Sequence, residues 1–203
     1  MTHLATLRNS DSGITLISRW TTGDRERSRA AADALLDTWS SRANTPAALL
    51  ATHVFLDEDG TGLLIHGQWT SAEDHLAFVR EGRAARVDSI DARVPGIERL
   101  GLNRTQPYRE VVLGPGPAGE VFAFATYDVE SAEAARDRAD GRAAELTDAA
   151  PSGLLGVHLY LTTDGGRVVE LAEWAGTADA AAREAVHAAG TRFYRFHGAS
   201  TGR

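Results

Sequence analysis

The chain carries one pattern twice. His53-Val54-Phe55-Leu56 precedes Asp59-Gly60 and then Trp69, and His158-Leu159-Tyr160-Leu161 precedes Asp164-Gly165 and then Trp174. Each pair is separated by 105 positions, as His53 and His158 are, and Leu49/Leu154 and Leu50/Leu155 fall in the same register. Seven ungapped identities, one of them a Trp, make duplication the strongest constraint on what these 203 residues can fold into. The chain therefore reads as two related units, residues 1–112 and 120–203. They are joined by a Gly/Pro segment at 113–119 that neither a helix nor a central strand can absorb.

Each copy reads as strand, helix, strand, strand, helix, strand. In the first, Ile14–Trp20 is a strand and Asp24–Arg42 places Ala31, Ala34, Leu35, Thr38 and Trp39 on one helical stripe. Leu49–Leu56 and Leu63–Trp69 flank an acidic turn in which Gly60 supplies a positive φ. Thr70 or Ser71 caps a helix running to about Arg86. The second copy repeats this with Val121–Val129, Ala132–Ala149, Leu154–Thr162, Arg167–Trp174 and Ala178–Ala189. Both close on a short element, Thr105–Arg109 and Thr191–Arg195. The first copy has an insertion of its own near 87–102, expected as an extra helical turn and an irregular loop. A four-stranded sheet with two helices leaves one face bare. The expected fold class is α+β, with the two antiparallel sheets packed face to face as an intrachain pseudo-dimeric barrel.

Composition removes several chemistries. With no cysteine there is no thiol catalysis and no Cys-based zinc or iron–sulfur site. All 21 basic residues are arginine, which excludes lysine Schiff bases and P-loop lysines. A net charge of -7 argues against nucleic acid as a partner. No apolar run is long enough to span a bilayer, and Met1 to Gly13 lacks a signal-peptide core, so the expected location is the cytoplasm, without a membrane partner.

Pro151-Ser152-Gly153-Leu154-Leu155 through Glu173-Trp174-Ala175-Gly176, and more weakly Leu49–Trp69, resemble the antibiotic biosynthesis monooxygenase family of dimeric, ferredoxin-like α+β barrels. The resemblance covers nearly the whole chain as two tandem ferredoxin-like units. It implies oxidation of an aromatic polyketide of anthrone or quinol type in secondary metabolism. It further implies molecular oxygen as co-substrate and no metal or organic cofactor, with flavin or haem left open. The family's strand-end Trp matches Trp69 and Trp174; its Asn four residues earlier is Ile65 in one copy and Glu170 in the other. A non-oxidative polyketide cyclase and a non-catalytic ligand-binding barrel are the alternatives. The partners expected are a small aromatic substrate and either a monomeric pseudo-dimer or a homodimer.

The candidate catalytic residues are Trp69, Trp174, Glu170 and His66. Alternation puts Val168, Glu170, Ala172 and Trp174 on one sheet face, where a lone carboxylate would have a raised pKa suited to a general base; the bland reading is that an Arg neutralises it. His66, on the face opposite Trp69, has no counterpart in the second copy. The candidate substrate-binding residues are His53, His158, Trp20, Tyr108, Arg109, Tyr194 and Arg195. For the duplicated histidines a core role competes, and for Tyr108-Arg109 and Tyr194-Arg195 an edge-strand or ion-pair role does. No residues are assigned to a metal.

Overall fold

The computed structural model describes Leu7 and residues 11–39, 45–114 and 119–202. Residues 115–118 of the expected linker lie outside the described residues. The described chain is α+β, with eight strands and five helices. It forms two compact units, divided inside the two closing strands, between Arg104 and Thr105 and between Arg195 and Phe196.

The first unit runs β1 (Ile14–Thr21), α1 (Arg25–Thr38), β2 (Leu49–Asp57), β3 (Gly62–Trp69), α2 (Ala72–Glu81), α3 (Arg83–Arg93) and the start of β4 (Glu98–Val112). β3 is central, antiparallel to β1 and β2, and β4 lies beside β1, where Asn103 Nδ2 donates to Ile17 O. The second unit runs from the end of β4 through β5 (Val121–Asp128), α4 (Ala132–Ala149), β6 (Leu154–Thr162), β7 (Arg167–Trp174), α5 (Ala180–Val186) and β8 (Arg192–Thr201). There β7 is central between β5 and β6. Each copy's own strands thus follow the same ferredoxin-like order, β4-β1-β3-β2 and β8-β5-β7-β6.

The shared pattern extends to defects. A bulge interrupts β2 between Leu49 and Ala51, and another interrupts β6 between Leu154 and Gly156. Ile14 pairs with Trp69 at one end of the sheet, as Val121 pairs with Trp174. Asp24 caps α1 by accepting from the Arg27 amide, and Ser131 caps α4 by accepting from the Ala134 amide. Each cap satisfies one of the free N–H groups of a first turn.

Three expectations need correction. The helix after Trp69 is two helices: Ser71 caps α2 as expected, but α2 ends at Gly82, whose N–H bonds Phe78 O, and α3 starts afresh. The insertion is mostly ordered, because residues 87–93 complete α3 and β4 begins at Glu98. The closing elements are long strands rather than short ones, 15 residues in β4 and 10 in β8. Their first and last parts bond different neighbours: the end of β4 pairs with β6, and the start of β8 pairs with β5.

The β6–β7 hairpin turns on Gly165, at φ +74, where a Cβ would lie 2.8 Å from that of Ala132. Strain from the left-handed backbone and the clash with α4 add together. Gly165→Ala should therefore cost about 1–2 kcal/mol or more of stability, read as a lower urea midpoint with an unchanged slope.

Candidate functional site

Alternation along β1 and β3 sends Leu16, Ser18 and Trp20, and Ile65, Gly67 and Trp69, to the sheet face that α1, α2 and α3 cover. Between that face and the helices lies a cavity of about 300 Å³, at the small end of the roughly 300–1,000 Å³ usual for small-molecule sites. Its walls are aromatic: Trp20 and Trp69 from the sheet, Trp39 just past α1, Phe78 from α2. Trp69 packs on Phe78 with ring centroids 5.1 Å apart, and Phe78 packs on Trp39 at 5.5 Å. Gly67 keeps the floor low, since a Cβ there would meet nothing nearer than the Trp69 indole nitrogen at 3.8 Å.

Polar groups enter from the helices and β4. Arg86 lies over the rings of Trp39 and Phe78. Arg99 lies over Trp20 and makes a bidentate pair with Asp91. Arg83 stands exposed in the first turn of α3, and His75 lies edge-on to Trp69. Arg104 Nη1 is 3.0 Å from His75 Nδ1. A guanidinium only donates, so Nδ1 accepts and the ring proton sits on Nε2. Burial, reinforced by the charges of Arg104 and Arg83, lowers the His75 pKa to about 4.

The same place in the second unit is filled by its own side chains. Counting from the caps and the paired strands, Leu35 corresponds to Arg142, Ile65 to Glu170 and Trp20 to Tyr127. Arg142 Nε and Nη2 donate to the two oxygens of Glu170 at 2.9 and 3.1 Å. The Tyr127 hydroxyl donates to Glu170 Oε2 at 3.0 Å. His187 Nε2 accepts from the Trp174 indole, and its Nδ1–H reaches Glu170 Oε1 at 3.1 Å. Glu170 is fully buried and Arg142 nearly so. Burial alone would push the Glu170 carboxyl up, but the His187 hydrogen bond and the Arg142 pair outweigh it and hold the pKa at about 2. The expectation of a solitary, weakly acidic Glu170 is thus corrected: it is an ion-paired carboxylate, unsuited to take a proton near neutrality.

Of the residues chosen from sequence, Trp20 and Trp69 meet at the cavity. Trp174 is buried against His187 in the filled unit. His53 and His66 face each other across β2 and β3, rings 5.6 Å apart, on the sheet surface opposite Ile65 and Trp69. His158 Nε2 pairs with Glu173 Oε1 at 2.6 Å, both buried. The Tyr108 hydroxyl and Arg109 both bond Asp140 on α4. Tyr194 is buried edge-on to Phe124, and Arg195 is exposed. None of Tyr108, Arg109, Tyr194 and Arg195 lines the cavity. His75, Phe78, Arg83, Arg86 and Arg99 were missed. Their signal was the spacing His75/Phe78 and Arg83/Arg86/Ile90, which sets one stripe of each helix toward the sheet.

No family model matches the sequence, and neither does any curated protein. Solved structures do match. An anthrone oxidase-like protein superposes with a TM-score of 0.67 at 17% identity, over 95% of this chain and 94% of its own. A proposed monooxygenase from Lactobacillus acidophilus NCFM gives 0.55 at 9% identity, over 94% and 97%. A chlorite dismutase mutant from Candidatus Nitrospira defluvii, in complex with cyanide, gives 0.54 at 13% identity, over 98% and 96%. These likenesses establish a shared fold.

They also correct the expectation of no cofactor: the fold is shared with a chlorite dismutase, a haem protein, and so does not by itself imply a cofactor-free chemistry. The residues of the cavity do not fit a haem. A ligating imidazole normally donates its second N–H to a carboxylate or carbonyl, which raises its basicity. His75, the one imidazole on the wall among the described residues, instead has a guanidinium at its second nitrogen. No group of three or more His, Cys, Asp or Glu side chains is placed to hold a metal ion among the described residues.

The filled unit gives a direct test of the ion pair. Arg142→Leu leaves a buried carboxylate without its partner and should cost about 3–5 kcal/mol. Adding Glu170→Ile, the residue pair of the first unit, should restore most of that loss in a urea double-mutant cycle. The depressed pKa adds a pH signature. Stability from Glu170 is complete above its ordinary value of 4.5 and should decline as pH falls from there toward 2. The slope over that window should shrink in the double variant.

Proposed function

We propose that the first unit binds a flat aromatic molecule of anthrone or quinol type between Trp20, Trp39, Trp69 and Phe78, and that the chain catalyses its oxidation by dioxygen. One observation carries this reading: among the described residues the first unit has an aromatic-walled cavity beneath its helices, where the second has the Arg142–Glu170 pair. The cavity's size suits two or three fused rings. The likeness to an anthrone oxidase-like protein supports the same substrate class.

For an anthrone the net reaction is balanced by one dioxygen: the ring CH2 becomes a carbonyl and one water is released. The substrate must pass through an electron-rich anion. The protein's share is to make that anion accessible. Arg83, Arg86 and Arg99 supply positive charge, and His75 supplies an Nε2–H to a developing oxyanion; such preorganised donors act most strongly in a site shielded from water. Among the described residues no Asp or Glu lines the cavity. With no carboxylate at hand, the proton of the anthrone CH2 passes to water, and the arginines and His75 act by lowering the cost of the anion that is left. The relation of the two units by gene duplication, with residues 1–112 and 120–203 as the ancestral copies, belongs to the same proposal.

Aerobic incubation with anthrone should consume one equivalent of oxygen per quinone formed, and anaerobic incubation should leave anthrone intact. Gly67→Val, which raises the floor without a backbone clash, should lower kcat/KM at least about tenfold, the equivalent of one lost methylene-scale fit or more. Trp174→Phe should leave the kinetics of folded protein nearly unchanged. Oxygen uptake at the same rate with and without protein would end the proposal.

A further inference from the structure

The charge pattern of the cavity names its ligand more closely. Three guanidinium groups, Arg83, Arg86 and Arg99, reach the lining, and no carboxylate does among the described residues. The nearby acids Asp74 and Glu81 line a separate cleft that shares only Phe78 and Arg86 with the cavity. This concentration of positive charge sits in a chain whose net charge is -7. The general field of the protein repels anions, so the local arrangement is what would admit one.

The three arginines are not equivalent. Arg99 is already matched by its bidentate pair with Asp91, so much of its charge is answered within the protein. Arg86 is held flat over Trp39 and Phe78, with Nη1 donating to Gly82 O at 3.0 Å. Its plane is therefore fixed at the same aromatic wall that would receive a ring. Gly82 matters here, because a Cβ at that position would lie 2.7 Å from Arg86 Nη1 and displace it. Arg83, one turn earlier and exposed, stands where an ionised substituent would meet solvent. His75 completes the set, since Arg104 at its Nδ1 leaves only an N–H to offer. Every charged or imidazole group on the wall is a donor.

We infer that the cavity selects a planar aromatic acid, bound as its anion with the charged group toward Arg83 and Arg86 and a ring oxygen toward His75, and that Arg104 is the positioning residue that keeps His75 a donor. The inference rests on the cavity being the ligand site, as the proposed function also requires, but it concerns recognition rather than turnover. Phenolates and carboxylates share the relevant chemistry, a delocalised oxyanion on a ring, and a guanidinium recognises either by charge-assisted hydrogen bonds.

The test uses two probes of similar size, 2-anthracenecarboxylate and 2-anthracenemethanol, titrated into the full chain under argon and followed by quenching of tryptophan fluorescence. The carboxylate should bind at least about tenfold more tightly at neutral pH, the value of one charge-assisted hydrogen bond. Arg83→Gln changes an exposed side chain and so leaves folding intact; it should remove part of the preference while the alcohol's affinity stays the same. Arg86→Gln should remove more. Arg104→Leu, which removes the donor, should weaken both probes, and Arg104→Lys, which still donates to His75 Nδ1, should recover most of that loss. Raising salt should weaken the carboxylate alone. Equal affinities for the two probes, or a preference that survives Arg83→Gln/Arg86→Gln, would overturn the inference. Neither probe has the anthrone CH2 group. Failure to oxidise anthrone with the preference intact therefore counts against the proposed function only, and turnover with equal probe affinities counts against this inference only.

Discussion

A buried salt bridge in the second unit stands where the first unit has a cavity. Both units lay a helix across a four-stranded sheet, and both leave a hollow where the helix crosses the end of the central strand. In the second unit Arg142 and Glu170 meet across that hollow, backed by Tyr127 and His187. In the first unit the corresponding residues are Leu35, Ile65 and Trp20, which belong to one apolar cluster and line a cavity. An ion pair sealed from water is a weak source of net stability but a strict one, because neither partner can be left alone. It occupies the space that the apolar trio leaves open.

The second difference lies in the helical layer. Two consecutive helices, α2 and α3, roof the first unit, whereas the single short α5 roofs the second. The break at Gly82 turns Arg83 and Arg86 onto the cavity while Phe78 and His75 still pack on Trp69. Arg83 and Arg86 therefore come from α3, a helix without a counterpart among the described elements of the second unit. The apolar residues in place of the ion pair and the extra helix bear on the same cavity.

Much of the fold was legible because the repeat is exact where the backbone demands it. Gly60 and Gly165 both hold positive φ in the same hairpin, and Trp69 and Trp174 both end the central strand. Strand alternation also put His66 on the face opposite Trp69, where it meets His53. The closing strands were underestimated because β4 carries Pro107 and the positive-φ Gly101, and because its two ends bond different neighbours. The site was harder to read. Glu170 looked isolated along its own strand, since its partners Arg142 and His187 come from α4 and from beyond α5, and alternation within a strand carries no information about them. His75 lay on a helix whose stripe was visible but whose break at Gly82 was not. The cationic character of the cavity is a sum over α2, α3 and β4 that appears only when they are folded together.

The central claim is that one unit is hollow and the other is full. Calorimetric titration of the whole chain with 2-anthracenecarboxylate measures this as stoichiometry. The account predicts saturation at one equivalent per chain, and no saturable binding when Gly67→Val fills the floor of the first unit. Two equivalents per chain, or one that persists in Gly67→Val, would contradict it.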